Sequence, residues 1–237
     1  MKKNILCITY RILPILLILY SIFVFLNYVF RFLNVDTSKL DYSFILVCTT
    51  YTLFYVTKSK NSNLVCISFL FTVIADLILV FYIEYRIIGL IAFLCVQIAH
   101  GLRFSLAFNK ISLKYNLLVR GIAVCAVEIG YLLIAKSFDI TLFLTFFYFT
   151  LLVINFLFSI IFFEKSNLLW FTLIIGFFFF ILCDVFVGVG CSTEFFDIKD
   201  LLIYKIYDQV PFSLDWFFYI PATTLLALST LINKKNN

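Results

Sequence analysis

An all-α bundle built into a membrane is what this 237-residue sequence predicts, and three observations predict it. Apolar residues make up 64% of the chain and charged ones 13%, with a mean hydropathy of +1.11, too little polar material to cover a water-soluble domain. Stretch after stretch of about 20 residues is apolar all round, the length that crosses bilayer hydrocarbon. Those stretches lack the period-two alternation of an outer-membrane barrel and run about twice as long as a barrel strand needs. Soluble enzymes, nucleic-acid binders and disordered chains are excluded on these grounds. The net charge of +5 then reads through topology rather than as affinity for nucleic acid.

Charge clusters bound eight spans: Ile12 to Phe30, Tyr42 to Thr57, Leu64 to Ile83, Ile87 to Phe108, Leu117 to Ala135, Ile140 to Phe163, Leu168 to Val189 and Phe212 to Ile232. Connections such as Lys58 to Asn63, Glu84 to Arg86 and Glu164 to Asn167 are so short that consecutive spans must be antiparallel neighbours, in one integral domain over residues 1–237. The longest connection, Gly190 to Pro211, carries Leu201, Leu202, Ile203 and Ile206, a pattern for a short interfacial helix. With the N-terminus inside, the inner segments hold ten Lys and Arg residues and the outer ones six, which favours both termini in the cytoplasm. Lys2 and Lys3 before an apolar run resemble a signal peptide. That run is too long and lacks a small-residue cleavage site, so it is expected to stay as the first span. The loop-poor build suits a bacterial inner membrane.

Ionisable side chains at mid-bilayer cost about 2.5 to 3.5 kcal/mol each, so every one needs a reason. The deep set is Asp76, His100, Arg103, Glu128 and Asp184, with Gln97 and Asn155 as uncharged companions. Ser68, Thr72 and Asp76 repeat every four residues along one face of the third span. In the fourth span Gln97, His100 and Arg103 recur every three residues, read as a shared face beside Gly101. The seventh span sets Gly176, Phe180, Asp184 and Gly188 in a four-residue ladder. Asp76 and Asp184 fall at matching depths of parallel spans, each after a small residue, Ala75 or Cys183, which hints at a four-plus-four internal repeat. The alternative reading of the two acids is structural, pairing with Arg103 or bonding across helices. Glu128 reads as a partner for Arg120 or a neighbouring polar group.

The elements Phe71-Thr72-Val73-Ile74-Ala75-Asp76-Leu77-Ile78-Leu79, Gly89 through Phe93 to Ala99-His100, and Gly176 through Phe180 to Cys183-Asp184 resemble the YhhN-type lysoplasmalogenase family. That family carries F-S-x-x-G-D-x-x-L, G-x-x-x-F leading to A-H, and G-x-x-x-F-x-x-S-D elements in eight spans, and the likeness covers Leu64 to Ile232. Several positions depart from it. Ala75 stands for a Gly, Cys183 for a Ser and Arg103 for a Tyr, while the last span, Tyr219-Ile220-Pro221-Ala222-Thr223-Thr224, keeps the Tyr but has Thr for a Gln.

The resemblance implies hydrolysis of the vinyl ether of a lysoplasmalogen, a membrane lysophospholipid, to a fatty aldehyde and glycerophosphoethanolamine or glycerophosphocholine. Two carboxyls suit such chemistry, because one can protonate the β-carbon while the other activates water and stabilises an oxocarbenium-like cation, as in a glycosidase. Asp76 and Asp184 are the candidate catalytic pair. His100, Arg103, Thr72 and Gln97 are candidate supporting residues, with His100 orienting an acid or relaying a proton and Arg103 available to hold phosphate. No H-E-x-x-H element or cluster of Cys and His appears, so neither a metal nor another cofactor is expected. The competing readings are a proton-coupled small-molecule or lipid transporter and a catalytically silent membrane scaffold.

Overall fold

The computed structural model describes residues 15, 18–30, 33, 42–44, 48, 63–135, 137–164, 169–192, 200–209 and 214–231. Most of the second expected span, the start of the first, and Lys2, Lys3, Arg11, Lys58, Lys60, Lys165, Lys234 and Lys235, on which the orientation rests, lie outside the described residues. Every regular element among the described residues is a helix. In chain order these are α1 (Ile18–Phe30), α2 (Asn63–Phe81), α3 (Arg86–Leu106), α4 (Leu113–Ile134), α5 (Ile140–Ile161), α6 (Leu169–Ser192), α7 (Leu202–Gln209) and α8 (Leu214–Leu228). Five of them, α2 to α6, are long and apolar enough to cross a membrane, and α1 and α8 are shorter apolar helices. At 1.5 Å per residue, 19 to 24 residues span about 28 to 36 Å, which fits a hydrocarbon layer about 30 Å thick. A multi-pass helical membrane bundle follows from those lengths.

The helix ends are written in the sequence. The Asp139 carboxylate accepts from the Thr141 and Leu142 amides at 2.7 and 3.0 Å, and Ser112 accepts from the Tyr115 amide, so α5 and α4 each begin on an N-cap. A 3₁₀ turn, Ile83–Tyr85, reverses the chain between α2 and α3. Pro221 lies inside α8 and has no N–H for the Phe217 carbonyl one turn earlier. The Tyr20 hydroxyl of α1 donates to that oxygen at 2.9 Å.

Among the five long helices, α3 is the most enclosed and α4 the least. The outer face of α4 presents Leu117, Leu118, Ile122, Leu132 and Leu133, the composition expected of a surface against lipid tails. The two most extensive helix pairs are α2 with α3 and α6 with α8. Each closes through a glycine: Gly89 of α3 lies under Leu79 of α2, and Gly176 of α6 under Leu226 of α8. The expected interfacial helix is α7, and its Leu201 flank, Leu202, Ile203 and Ile206 are exposed.

Candidate active site

The Ser68, Thr72 and Asp76 stripe of α2 is buried throughout, as a four-residue repeat on one helix face requires. Thr72 therefore lies one turn below Asp76 on the same inward face. Asp76 receives the Tyr219 hydroxyl of α8 at 3.1 Å from both carboxylate oxygens. Asp184 of α6, half-buried, receives the Tyr148 hydroxyl of α5 on Oδ2. Each acid is thus tied to a phenol from another helix, and neither forms an ion pair with a described residue.

Phe93 of α3 joins the two halves. Its ring stands 5.6 Å from that of Tyr148 and 6.4 Å from those of Tyr219 and Phe180, while Phe180 packs 5.4 Å from Tyr219. The Asp76–Tyr219 and Asp184–Tyr148 pairs thus share Phe93 as a common ring neighbour. Five helices therefore meet at one aromatic-walled cluster holding two acids and two phenols. Asp76 is five residues, about 7.5 Å, from the end of α2 at Phe81, so the cluster lies toward the α2–α3 turn.

His100 and Arg103 stand elsewhere. Counted along α3 from Phe93, they are about 10 and 15 Å further on, toward the α3–α4 connection. Arg103, 1% exposed, shares a hydrogen bond with His100 Nδ1 at 3.3 Å, donates to Ser229 Oγ at 2.7 Å, and lies over the Phe108 ring. Because guanidinium only donates, Nδ1 of His100 is the acceptor and the neutral ring carries its proton on Nε2. The His100 ring meets Phe177 of α6 edge-on. Neither His100 nor Arg103 is hydrogen-bonded to Asp76 or Asp184 among the described residues.

Gln97 faces a third way. A three-residue spacing falls about 60° short of a full turn at each step, so Gln97 and Arg103 stand about 120° apart around α3. Gln97 Oε1 and its backbone carbonyl both accept from the Asn155 amide of α5, at 2.9 and 3.0 Å. Asn155 Oδ1 in turn accepts from Arg120 of α4, which also donates to Asn116 Oδ1. Arg120 is paired there and not with Glu128. Two turns along α4, about 12 Å, is beyond side-chain reach, and both Glu128 oxygens are buried without a hydrogen bond among the described residues.

Tyr148 and Ser229 make side-chain hydrogen bonds, with Asp184 and Arg103, that sequence reasoning missed, as it missed that of Arg120 with Asn116. Asn116 and Arg120 were detectable as an i, i+4 polar pair on an otherwise apolar helix. Tyr148 had no such signal, being one hydroxyl in a run of Phe and Leu. No group of three or more His, Cys, Asp or Glu side chains converges among the described residues. No protein-family model, curated protein or solved structure matches the chain.

Proposed function

We propose that the chain is a membrane hydrolase of the lysoplasmalogenase type, an eight-span protein with a four-plus-four arrangement and both termini in the cytoplasm of a bacterial inner membrane. The observation that carries the reading is the pairing of Asp76 with Tyr219 and of Asp184 with Tyr148 across one aromatic cluster in the bundle interior. The repeat gains support from the two dominant helix pairs, α2 with α3 and α6 with α8. Each contains one of the acids and each is closed by a glycine.

In this mechanism one aspartic acid, protonated, transfers its proton to the β-carbon of the vinyl ether, R–CH=CH–O–R′. The electron pair of the double bond forms the new C–H bond, and the positive charge settles on the α-carbon and ether oxygen. The other aspartate takes a proton from water as the water oxygen bonds to that carbon. The resulting hemiacetal collapses to the aldehyde R–CH₂–CHO and the alcohol R′–OH. A ring face of Phe93 or Phe180 turned to the developing cation would stabilise it, and the phenols hold the carboxyls in register. The phosphate of a lysophospholipid is only a glycerol backbone away from its vinyl ether. Arg103, about 15 Å along α3 from Phe93, therefore does not serve as the head-group ligand, and the head group lies toward the α2–α3 turn.

Detergent-purified protein offered lysoplasmenyl-ethanolamine, with aldehyde read by a coupled dehydrogenase, tests the proposal. Wild type releases aldehyde, and Asp76→Asn and Asp184→Asn reduce release at least a hundredfold while remaining folded. Full activity in either purified variant rejects the pair, and uptake by sealed vesicles without cleavage rejects hydrolysis altogether.

A further inference from the structure

The network beneath Gly101 is independent of the acid–phenol cluster and has more donors than it can satisfy. Arg120 is 7% exposed, and Gln97, Asn116 and Asn155 are fully buried. The Arg120 guanidinium donates through Nε to Asn116 at 2.6 Å and through Nη2 to Asn155 at 2.7 Å, and it lies over the Phe158 ring. Among the described residues its Nη1 has no acceptor, and neither has the amide nitrogen of Gln97.

Amide orientation does not remove this surplus. Asn155 Nδ2 donates to the backbone oxygen of Gln97, which only accepts, so Asn155 is fixed with Oδ1 toward Arg120. Asn155 Nδ2 also donates to Gln97 Oε1. Turning Gln97 over would set two NH₂ groups against each other. Asn116 is fixed in the same way by its bonds to the Gly101 carbonyl and Ser105 Oγ. Two buried donors, one of them on a cation that keeps its proton, are thus left on one connected network, and its described members include no carboxylate. Water can fill a donor's valence, but a negative charge offsets a guanidinium taken out of solvent more fully than water or the Phe158 ring does.

We infer that Arg120 and Gln97 form a binding site for a small inorganic anion at the junction of α3, α4 and α5. Arg120 Nη1 supplies charge and one hydrogen bond, and Gln97 Nε2 supplies a second. The site is about 10 Å along α4 from its start at Leu113, below the exposed Lys114. Complete burial of Gln97, Asn116 and Asn155 favours a halide or free phosphate over a lipid phosphate, which presents the same chemistry on a larger body.

Thermal unfolding of the delipidated protein, followed by tryptophan fluorescence at constant ionic strength, provides the test. Sodium gluconate is exchanged stepwise for chloride, inorganic phosphate or phosphatidylglycerol micelles. The midpoint is expected to rise and saturate with chloride or phosphate, and Arg120→Met abolishes that rise while Lys114→Ala retains it. A rise confined to phosphatidylglycerol replaces the inorganic anion with a lipid and overturns the assignment as stated. Equal midpoints in every anion, or an unchanged rise in Arg120→Met, overturn the site itself. Should Arg120→Met fail to purify, Gln97→Leu decides: a tenfold weaker apparent affinity supports the site and an unchanged one overturns it.

Discussion

Adding one methyl group at Gly101 attacks the fold where the Arg120 guanidinium of α4 packs against α3. An alanine Cβ there would stand 2.5 Å from Arg120 Cζ and 2.8 Å from both terminal nitrogens, whereas ordinary contacts need about 3.5 Å. The guanidinium is the end of a flexible side chain, but it is held by two short hydrogen bonds of 2.6 and 2.7 Å and by the Phe158 ring. Withdrawing it by about 1 Å stretches both bonds past useful length. Interhelical hydrogen bonds inside membranes average about 0.6 kcal/mol and reach about 1.7, and bonds to charged groups in water-soluble proteins run to about 3. Two such losses, less the roughly 1 kcal/mol that alanine gains over glycine in a helix, leave Gly101→Ala destabilised by about 2 kcal/mol. Equilibrium unfolding in mixed micelles, read by tryptophan fluorescence, measures this directly. Gly121→Ala and Gly130→Ala are the internal controls, since nothing lies within 4 Å of either added Cβ, and both should be neutral or mildly stabilising. Removing the obstruction with Arg120→Met should erase most of the added penalty of Gly101→Ala, a coupling of at least about 1 kcal/mol. Gly101→Ala matching Gly121→Ala in stability would refute the close approach.

Four further outcomes follow from named contacts. Tyr148→Phe and Tyr219→Phe keep the ring packing around Phe93 but remove the phenol hydrogen bonds, so aldehyde release should fall about tenfold to a hundredfold with unfolding changed by less than about 2 kcal/mol. Activity equal to wild type in both would separate the phenols from the chemistry. Tyr20→Phe removes the hydroxyl that donates to the Phe217 carbonyl and should cost about 1 kcal/mol in the same unfolding assay, more than Tyr115→Phe at an exposed site. Asp139→Ala removes the cap of α5 and should cost about 1 kcal/mol, with faster amide exchange confined to Thr141 and Leu142. Lys110→Ala breaks a partly exposed ion pair with Glu164 and should change stability by no more than about 1 kcal/mol, which the same titration resolves.

The fold class and the polar positions were legible in the sequence because composition and periodicity act locally. Apolar runs fix the length of helices that cross about 30 Å of hydrocarbon, Asp139 and Ser112 mark helix starts, and the four-residue stripe ending in Asp76 states which face turns inward. A carboxylate among Phe and Leu likewise announces itself without coordinates. Partnership was decided only by tertiary structure. Gln97, His100 and Arg103 recur every three residues, yet helical drift turns the first toward Asn155 and the last toward Ser229. Arg120 met two asparagines instead of Glu128, and the acids met tyrosines instead of Arg103, because rise along a helix separates residues that share its face. Contacts such as Tyr219 with Asp76, 143 residues apart, depend on how whole helices pack, which no local pattern of residues encodes.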